Sequence, residues 1–296
     1  MNLQAYLSNK KDVVDNALKA VFPDPEGLAS DVVSAMKYSL FAGGKRFRPI
    51  LCIAGSEAVG GGEADVLPVA CALELIHTYS LIHDDLPMMD DDEFRRGKPT
   101  NHIVYGDAMS LLAGDGLLTE AFNLMTEEEL TRRVSFRVIL EVIGLISRAS
   151  GFRGMIGGQT VDIQSEGRAV DLSVVEFIHS HKTGALITAS VMSGAILGGG
   201  DAAQVNAIKH YGEKIGLAFQ ISDDIMDIEG DSKTMGKKAG ADEKKGKATY
   251  PLLIGLKKAK QIQSELIETA IEALWVFDHG AEPLRRIAKY IIERKK

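Results

Sequence analysis

Cysteine is nearly absent from this chain: among 296 residues there are two, Cys52 and Cys71, both inside apolar stretches. That leaves no disulfide framework and reads as two buried thiols in a reducing compartment. A basic excess is also lacking. Lys and Arg total 34 against 41 Asp and Glu, a net charge of −7, which argues against a general nucleic-acid binder. No apolar h-region follows Met1, so the first residues do not read as a secretory signal. The least polar run, Gly184 to Gly200, is too short and too rich in glycine and hydroxyls for a membrane span. Sustained two-residue alternation, solenoid-length repeats, low-complexity tracts and domain linkers are likewise missing. The expectation is a soluble, cytoplasmic protein with one domain over residues 1–296.

What the chain does have is helical spacing, with apolar residues recurring every three or four positions and a hydrophobic fraction of 45%. Asp24-Pro25-Glu26 reads as a helix start, with Asp24 as N-cap and Pro25 in the first turn. That helix is expected to run to Phe41 and stop at Gly43-Gly44. Further helices are expected over 48–60, 65–86, 102–127, 130–149, 153–164, 173–198, 202–228, 250–277 and 281–294. The fold class is therefore all-α. Two segments break the pattern, 88–102 and 230–250. The second carries Lys233, Lys237, Lys238, Lys244, Lys245 and Lys247, and reads as a lid bringing charge to an anionic ligand.

Two acidic clusters terminate apolar helices: Asp84, Asp85 and Asp90 through Asp92, then Asp223, Asp224 and Asp227. Carboxylates this close raise one another's pKa and destabilise the fold unless a cation neutralises them. Mg²⁺ suits that role, held by a few carboxylates and completed by substrate phosphates. On a helix His77 and Asp84 point the same way, while Asp90 is off-register; Pro87 should end the helix and could return Asp90 to the Asp84 side. Asp223 and Asp227 are i and i+4, with Gln220 one turn earlier.

Basic groups accompany the acids. Lys45, Arg46 and Arg48 follow a glycine pair, Arg95-Arg96 follows the first cluster, and His181-Lys182-Thr183-Gly184 opens an apolar helix suited to phosphate oxygens. Two metal-binding clusters with these cations imply a cavity for two diphosphates, one bridged by Mg²⁺ and one held by Lys and Arg.

The stretch Ser-Leu-Ile-His-Asp-Asp-Leu-Pro-Met-Met-Asp-Asp-Asp-Glu-Phe-Arg-Arg-Gly-Lys-Pro-Thr-Asn-His (80–102) resembles the first aspartate-rich motif of the trans-isoprenyl diphosphate synthases. Gly-Leu-Ala-Phe-Gln-Ile-Ser-Asp-Asp-Ile-Met-Asp (216–227) resembles their second. Gly-Gly-Lys-Arg-Phe-Arg-Pro, His-Lys-Thr-Gly and Gly-Lys-Ala-Thr-Tyr-Pro match in kind and order, so the resemblance covers essentially the whole chain. It implies a single large helical bundle around a deep central apolar cavity, commonly a homodimer.

By that resemblance Asp84 and Asp90 would hold two Mg²⁺ ions on an allylic diphosphate and Asp223 a third, with Asp227 and Asp85 more remote. Arg95, Lys182, Lys237 and Lys247 would contact the same diphosphate. Lys45, Arg48, His77 and Arg96 would bind isopentenyl diphosphate, and Thr183 and Gln220 would steady an allylic cation. Tyr79 and Ser80 lie about 6–7.5 Å down the helix from Asp84 and would set chain length. The aromatic at Tyr79 resembles bacterial farnesyl diphosphate synthases, with a geranylgeranyl synthase as the nearest rival. A terpene cyclase would have no use for Lys45, Arg48 and His77. A non-catalytic subunit of a heteromeric synthase would have lost ligands that are intact here. Glu93-Phe94 departs from the usual Asp-Leu at positions not expected to be ligands. Arg294-Lys295-Lys296 could approach the isopentenyl site, but reads first as a frayed tail.

Overall fold

The computed structural model describes residues 1–22, 24–229 and 247–294. Its helices are α1 (Leu3–Val21), α2 (Ser30–Leu40), α3 (Phe47–Ala58), α4 (Leu67–Asp84), α5 (Asn101–Tyr105), α6 (Asp107–Leu124), α7 (Glu128–Arg133) and α8 (Phe136–Ser150). They continue as α9 (Met155–Ser165), α10 (Leu172–Ile178), α11 (Ala185–Leu197), α12 (Ala202–Glu229), α13 (Tyr250–Ile254), α14 (Leu256–Ala273) and α15 (Glu282–Glu293). The all-α expectation holds, with one small exception. Phe94–Arg95 and Lys98–Pro99 pair as a two-stranded antiparallel hairpin. Its turn residues Arg96 and Gly97 both have positive φ, 54° and 76°, the backbone that a tight two-residue hairpin requires.

Several boundaries differ from the periodicity for identifiable reasons. The helix expected from Asp24 begins only at Ser30, because Gly27 sits at φ 75° and interrupts the chain first. The stretch 102–127 is two helices, split at Gly106, which has φ 82°. Gly255 at φ 83° divides 250–277 in the same way. Helix α1 was not anticipated at all; its polar face is dominant, and Asn2 caps it by accepting from the Ala5 amide at 3.1 Å.

The apolar faces close on two main clusters. One gathers Val14, Leu18, Leu40, Leu73, Ile76, Leu117 and Ile146 from α1, α2, α4, α6 and α8. The other joins α3, α11, α12, α14 and α15 through Ile50, Val191, Ile215, Ile267 and Ile287. Helix α11 lies almost backbone to backbone against α3, and a Cβ on Gly194 would come within 1.8 Å of the Cys52 carbonyl. Both cysteines are free and fully enclosed, and burial pushes the Cys71 thiol up to about 12. Among the described residues no helix is long and apolar enough to cross a membrane.

Candidate active site

Between α4, α9 and the turn before α11 lies an apolar cavity of about 370 Å³. Tyr79, Leu81, Met89, Met155, Ile156 and Ile163 supply its greasy walls, and Arg48, His77, Asp84, Gln159, Lys182 and Thr183 its polar rim. The rim is positioned by three breaks in helix geometry. Helix α4 ends at Asp84, and the Pro87 turn folds back so that the Asp90 amide donates to the Asp84 carbonyl at 2.9 Å. The return of Asp90 to Asp84 expected from Pro87 is therefore present. Residues His179–Gly184 form one π-helical turn between α10 and α11, which places Lys182 and Thr183 at the cavity. The third break is at Arg46, which takes φ 53° to start α3.

That third break spends one expected cation. Arg46 turns inward, with Nη1 donating to Glu74 at 2.7 Å, Nε to Asp15 at 2.7 Å and Nη2 to the Leu40 carbonyl at 2.7 Å. Of the three cations after the glycine pair, Arg48 lies at the cavity, and its buried Nε has no hydrogen-bond partner. Burial, with Arg96 adding, lowers Arg48 to about 10, so it stays charged at neutral pH. Arg96 donates to the Gly43 carbonyl, and its guanidinium lies over Gly44 where a Cβ would be 2.7 Å away. His77 is held well below its ordinary value, first by burial and then by Arg48, Arg96 and Arg95. It is a neutral imidazole among arginines.

On the acidic side, burial lifts Asp84 to about 6; Asp90 and Asp85 add to the rise, and Lys182 and Arg95 oppose it. Gln159 Nε2 donates to Asp84 at 3.0 Å. Asp85 faces away from this cluster and is buried, gripped by Arg95 through Nε at 2.8 Å and Nη2 at 2.6 Å. Arg95, expected on a diphosphate, is here engaged with that carboxylate. Lys182 pairs with Asp162 at 2.6 Å, and Lys247 lies 3.7 Å from both Asp162 and Asp90. Asp162 was not singled out from the sequence. It stands one turn beyond Gln159 on α9, and that pairing was the available signal. Burial alone would raise its pKa, but Lys182 and Lys247 outweigh this and hold it low.

The second cluster sits on α12. Gln220 Nε2 donates to Asp223 at 3.2 Å. Asp224 is buried, accepts from the Tyr250 amide at 2.9 Å and lies 3.6 Å from His179. Asp227 follows one turn on, partly exposed. The frayed-tail reading of Arg294 is wrong: the side chain is 5% exposed and donates to Asp223 at 2.7 Å. Its guanidinium stacks 3.7 Å above Phe219, which itself stacks on Phe47. The flat cation covers an aromatic face, and that contact holds Arg294 at the C-terminal end of α15 against α12. Tyr79 is 6% exposed at the cavity wall beside Ser80, whose hydroxyl donates back to the His77 carbonyl at 2.9 Å. Lys237, with the other lysines from 233 to 245, lies outside the described residues.

The donor chemistry suits a hard cation. Among the described residues no three His, Cys, Asp or Glu side chains converge into a ready-made metal cage. Asp84, strained by burial, with a buried guanidinium nitrogen of Arg48 without a partner on the same cavity, is instead suited to an ion that takes its remaining ligands from water and phosphate.

Residues 30–274 match the Polyprenyl synthetase family. The chain belongs to that family, a class of all-α prenyltransferases. It is 46% identical over 294 residues to the farnesyl diphosphate synthase of Geobacillus stearothermophilus, covering 99% of this chain and 98% of that one. It is 45% identical over 294 residues to the geranylgeranyl diphosphate synthase of Cyanophora paradoxa, covering 99% and 97%. Among solved structures, an FPP/GFPP synthase from Zymomonas mobilis aligns at TM-score 0.88 with 38% identity, over 98% of this chain and 99% of that one.

Proposed function

We propose that this protein is a farnesyl diphosphate synthase, condensing dimethylallyl or geranyl diphosphate with isopentenyl diphosphate. The prenyl diphosphate synthase activity follows from the family; the fifteen-carbon product is the finer reading. One observation carries it: the buried Tyr79 ring at the wall of the cavity that Asp84 rims, where it limits the length of a tail growing from the Asp84 end. The relatives bear both farnesyl and geranylgeranyl names, so a geranylgeranyl synthase is the second reading.

In this account Asp84, Asp90 and Asp223 would hold three Mg²⁺ ions, with Asp227 supporting, and Mg²⁺ when bound would supply positive charge to neutralise the departing diphosphate. Arg95, Lys182, Lys247 and Lys237 bind that allylic diphosphate. Lys182 and Lys247 are stored on Asp162 until the phosphate oxygens compete for them. Lys45, Arg48, Arg96 and the neutral His77 bind isopentenyl diphosphate. Thr183 and Gln220 present oxygens to the allylic cation, and the apolar walls exclude the water that would quench it. Attack by the isopentenyl double bond on C1 and loss of a C2 proton to the released diphosphate complete the turnover. The chain is proposed to act as one domain, in a cytoplasmic homodimer.

The test is product analysis with purified protein, Mg²⁺, dimethylallyl diphosphate and excess labelled isopentenyl diphosphate. A fifteen-carbon product is expected. A twenty-carbon product would retain the chemistry and remove the Tyr79 reading, and no product would favour a non-catalytic subunit.

A further inference from the structure

Beside the reaction cavity lies a second, mainly apolar pocket of about 470 Å³, lined by Leu86, Met88, Ala108 and Leu111, with the Asp107 carboxylate also on its wall. It is open to solvent, with Met88 70% and Leu111 47% exposed. His83 and Met89 line both spaces, one face toward the reaction cavity and the other toward the pocket.

His83 is fixed in this wall from two sides. Its ring meets Tyr79 edge-on with centroids 5.6 Å apart, and its Nε2 donates to the Leu111 carbonyl on α6 at 3.1 Å. The seat exists because residue 114 is glycine, where a Cβ would come within 2.1 Å of His83 Nε2. Tyr79 and His83 are i and i+4 on α4, so the floor residue leans on the wall residue one turn nearer Asp84.

We propose that His83, with Met89, is a second chain-length determinant, the partition confining the growing isoprenoid tail to the Tyr79 cavity. The pocket behind it is the apolar subsite that a longer tail enters when the partition is removed. A hydrocarbon tail is the occupant because the pocket walls are mainly thioether and aliphatic, Asp107 being their one carboxylate, and because the side chains lining both this pocket and the prenyl cavity are His83 and Met89. The inference rests on the reading of Tyr79 as a floor.

The experiment compares product length from wild type, Tyr79→Ala, His83→Ala and His83→Phe with Mg²⁺, dimethylallyl diphosphate and excess isopentenyl diphosphate. His83→Ala is expected to move at least half of the product to chains one or more isoprene units longer than wild type. His83→Phe, which refills the wall, should return the wild-type length. Adding Ala108→Trp to His83→Ala fills the exposed pocket and should shorten the product again, a result that a general loosening of α4 would not give. If Tyr79→Ala lengthens the product while His83→Ala leaves it unchanged, the partition is overturned and the floor stands. If neither variant lengthens it, the floor itself has failed. Should His83→Ala not fold, Tyr79→Ala with and without Ala108→Trp decides: the tryptophan shortens the extended product if the pocket is used and leaves it unaltered if it is not.

Discussion

Asp84 shows how the site stores electrostatic strain. Its carboxyl is raised by burial to about 6 from the ordinary 3.8 of an aspartate, so between those pH values the folded protein keeps a proton that the unfolded chain has released. Stability therefore falls as pH rises through that window, and ionised Asp84 costs about 3 kcal/mol at neutral pH. Asp84→Asn is expected to raise the melting temperature of chelator-treated protein at pH 7.5 and to give little change near pH 4. Turnover should fall by about a hundredfold or more. Calorimetry across pH 4–8 with steady-state assays checks both halves; an unchanged melting temperature at pH 7.5 would refute the strain. Arg46 and Arg48 make the opposite pair. Arg46→Ala strands buried Glu74 and should cost about 3–5 kcal/mol. Arg48→Ala removes a desolvated charge and should leave the melting temperature near wild type while raising the KM for isopentenyl diphosphate. Residue type and spacing alone do not separate these neighbours, both arginines beside the same glycines; only the family resemblance singled out Arg48 for the ligand.

At the scale of elements, close approach does what side-chain packing does elsewhere. Gly158 on α9 lies so near the π turn that a Cβ would meet the Lys182 amide nitrogen at 2.1 Å. Gly158→Ala is therefore expected to displace Lys182 and Thr183 and to reduce kcat at least tenfold. Gly194→Ala would drive α11 off α3, and should lower the melting temperature by several degrees or more, measured by thermal unfolding. Helices with long periodic runs, α4 and α12, were legible within a few residues, whereas the single helix expected over 173–198 is divided into α10 and α11 by the π turn His179–Gly184. The Pro87 break was legible too, since proline cannot donate inside a helix. The hairpin at 94–99 was not, because two-residue strands carry no alternation and its turn is Arg-Gly, where Asn-Gly would be the usual signal. The role of Arg294 was hidden for another reason: a basic terminus looks solvated until a partner such as Asp223 or Phe219 is known to lie beneath it.

For the whole molecule, the two aspartate clusters end different helices, α4 and α12, and the bundle surrounds an apolar cavity with charge at its rim. Helical spacing made the clusters and their order visible, since i and i+4 carboxylates declare themselves in one turn. The inward turn of Arg46, the pairing of Asp85 with Arg95 and the holding of two lysines by Asp162 depend on contacts between distant segments. No local pattern encodes them. The division of charge has a consequence for the intact protein: removing divalent metal should abolish condensation while leaving the fold in place, because the two main cores are closed by apolar side chains alone. The measurement that tests this most directly is incorporation of labelled isopentenyl diphosphate by the isolated protein, followed as Mg²⁺ is titrated into chelated wild type, Asp84→Asn and Asp223→Asn. Wild type should turn over in a saturable, Mg²⁺-dependent manner, with both variants reduced by about a hundredfold or more at saturating metal. Equal turnover by all three, or full turnover in excess chelator, would contradict the assignment of the two clusters to the reaction.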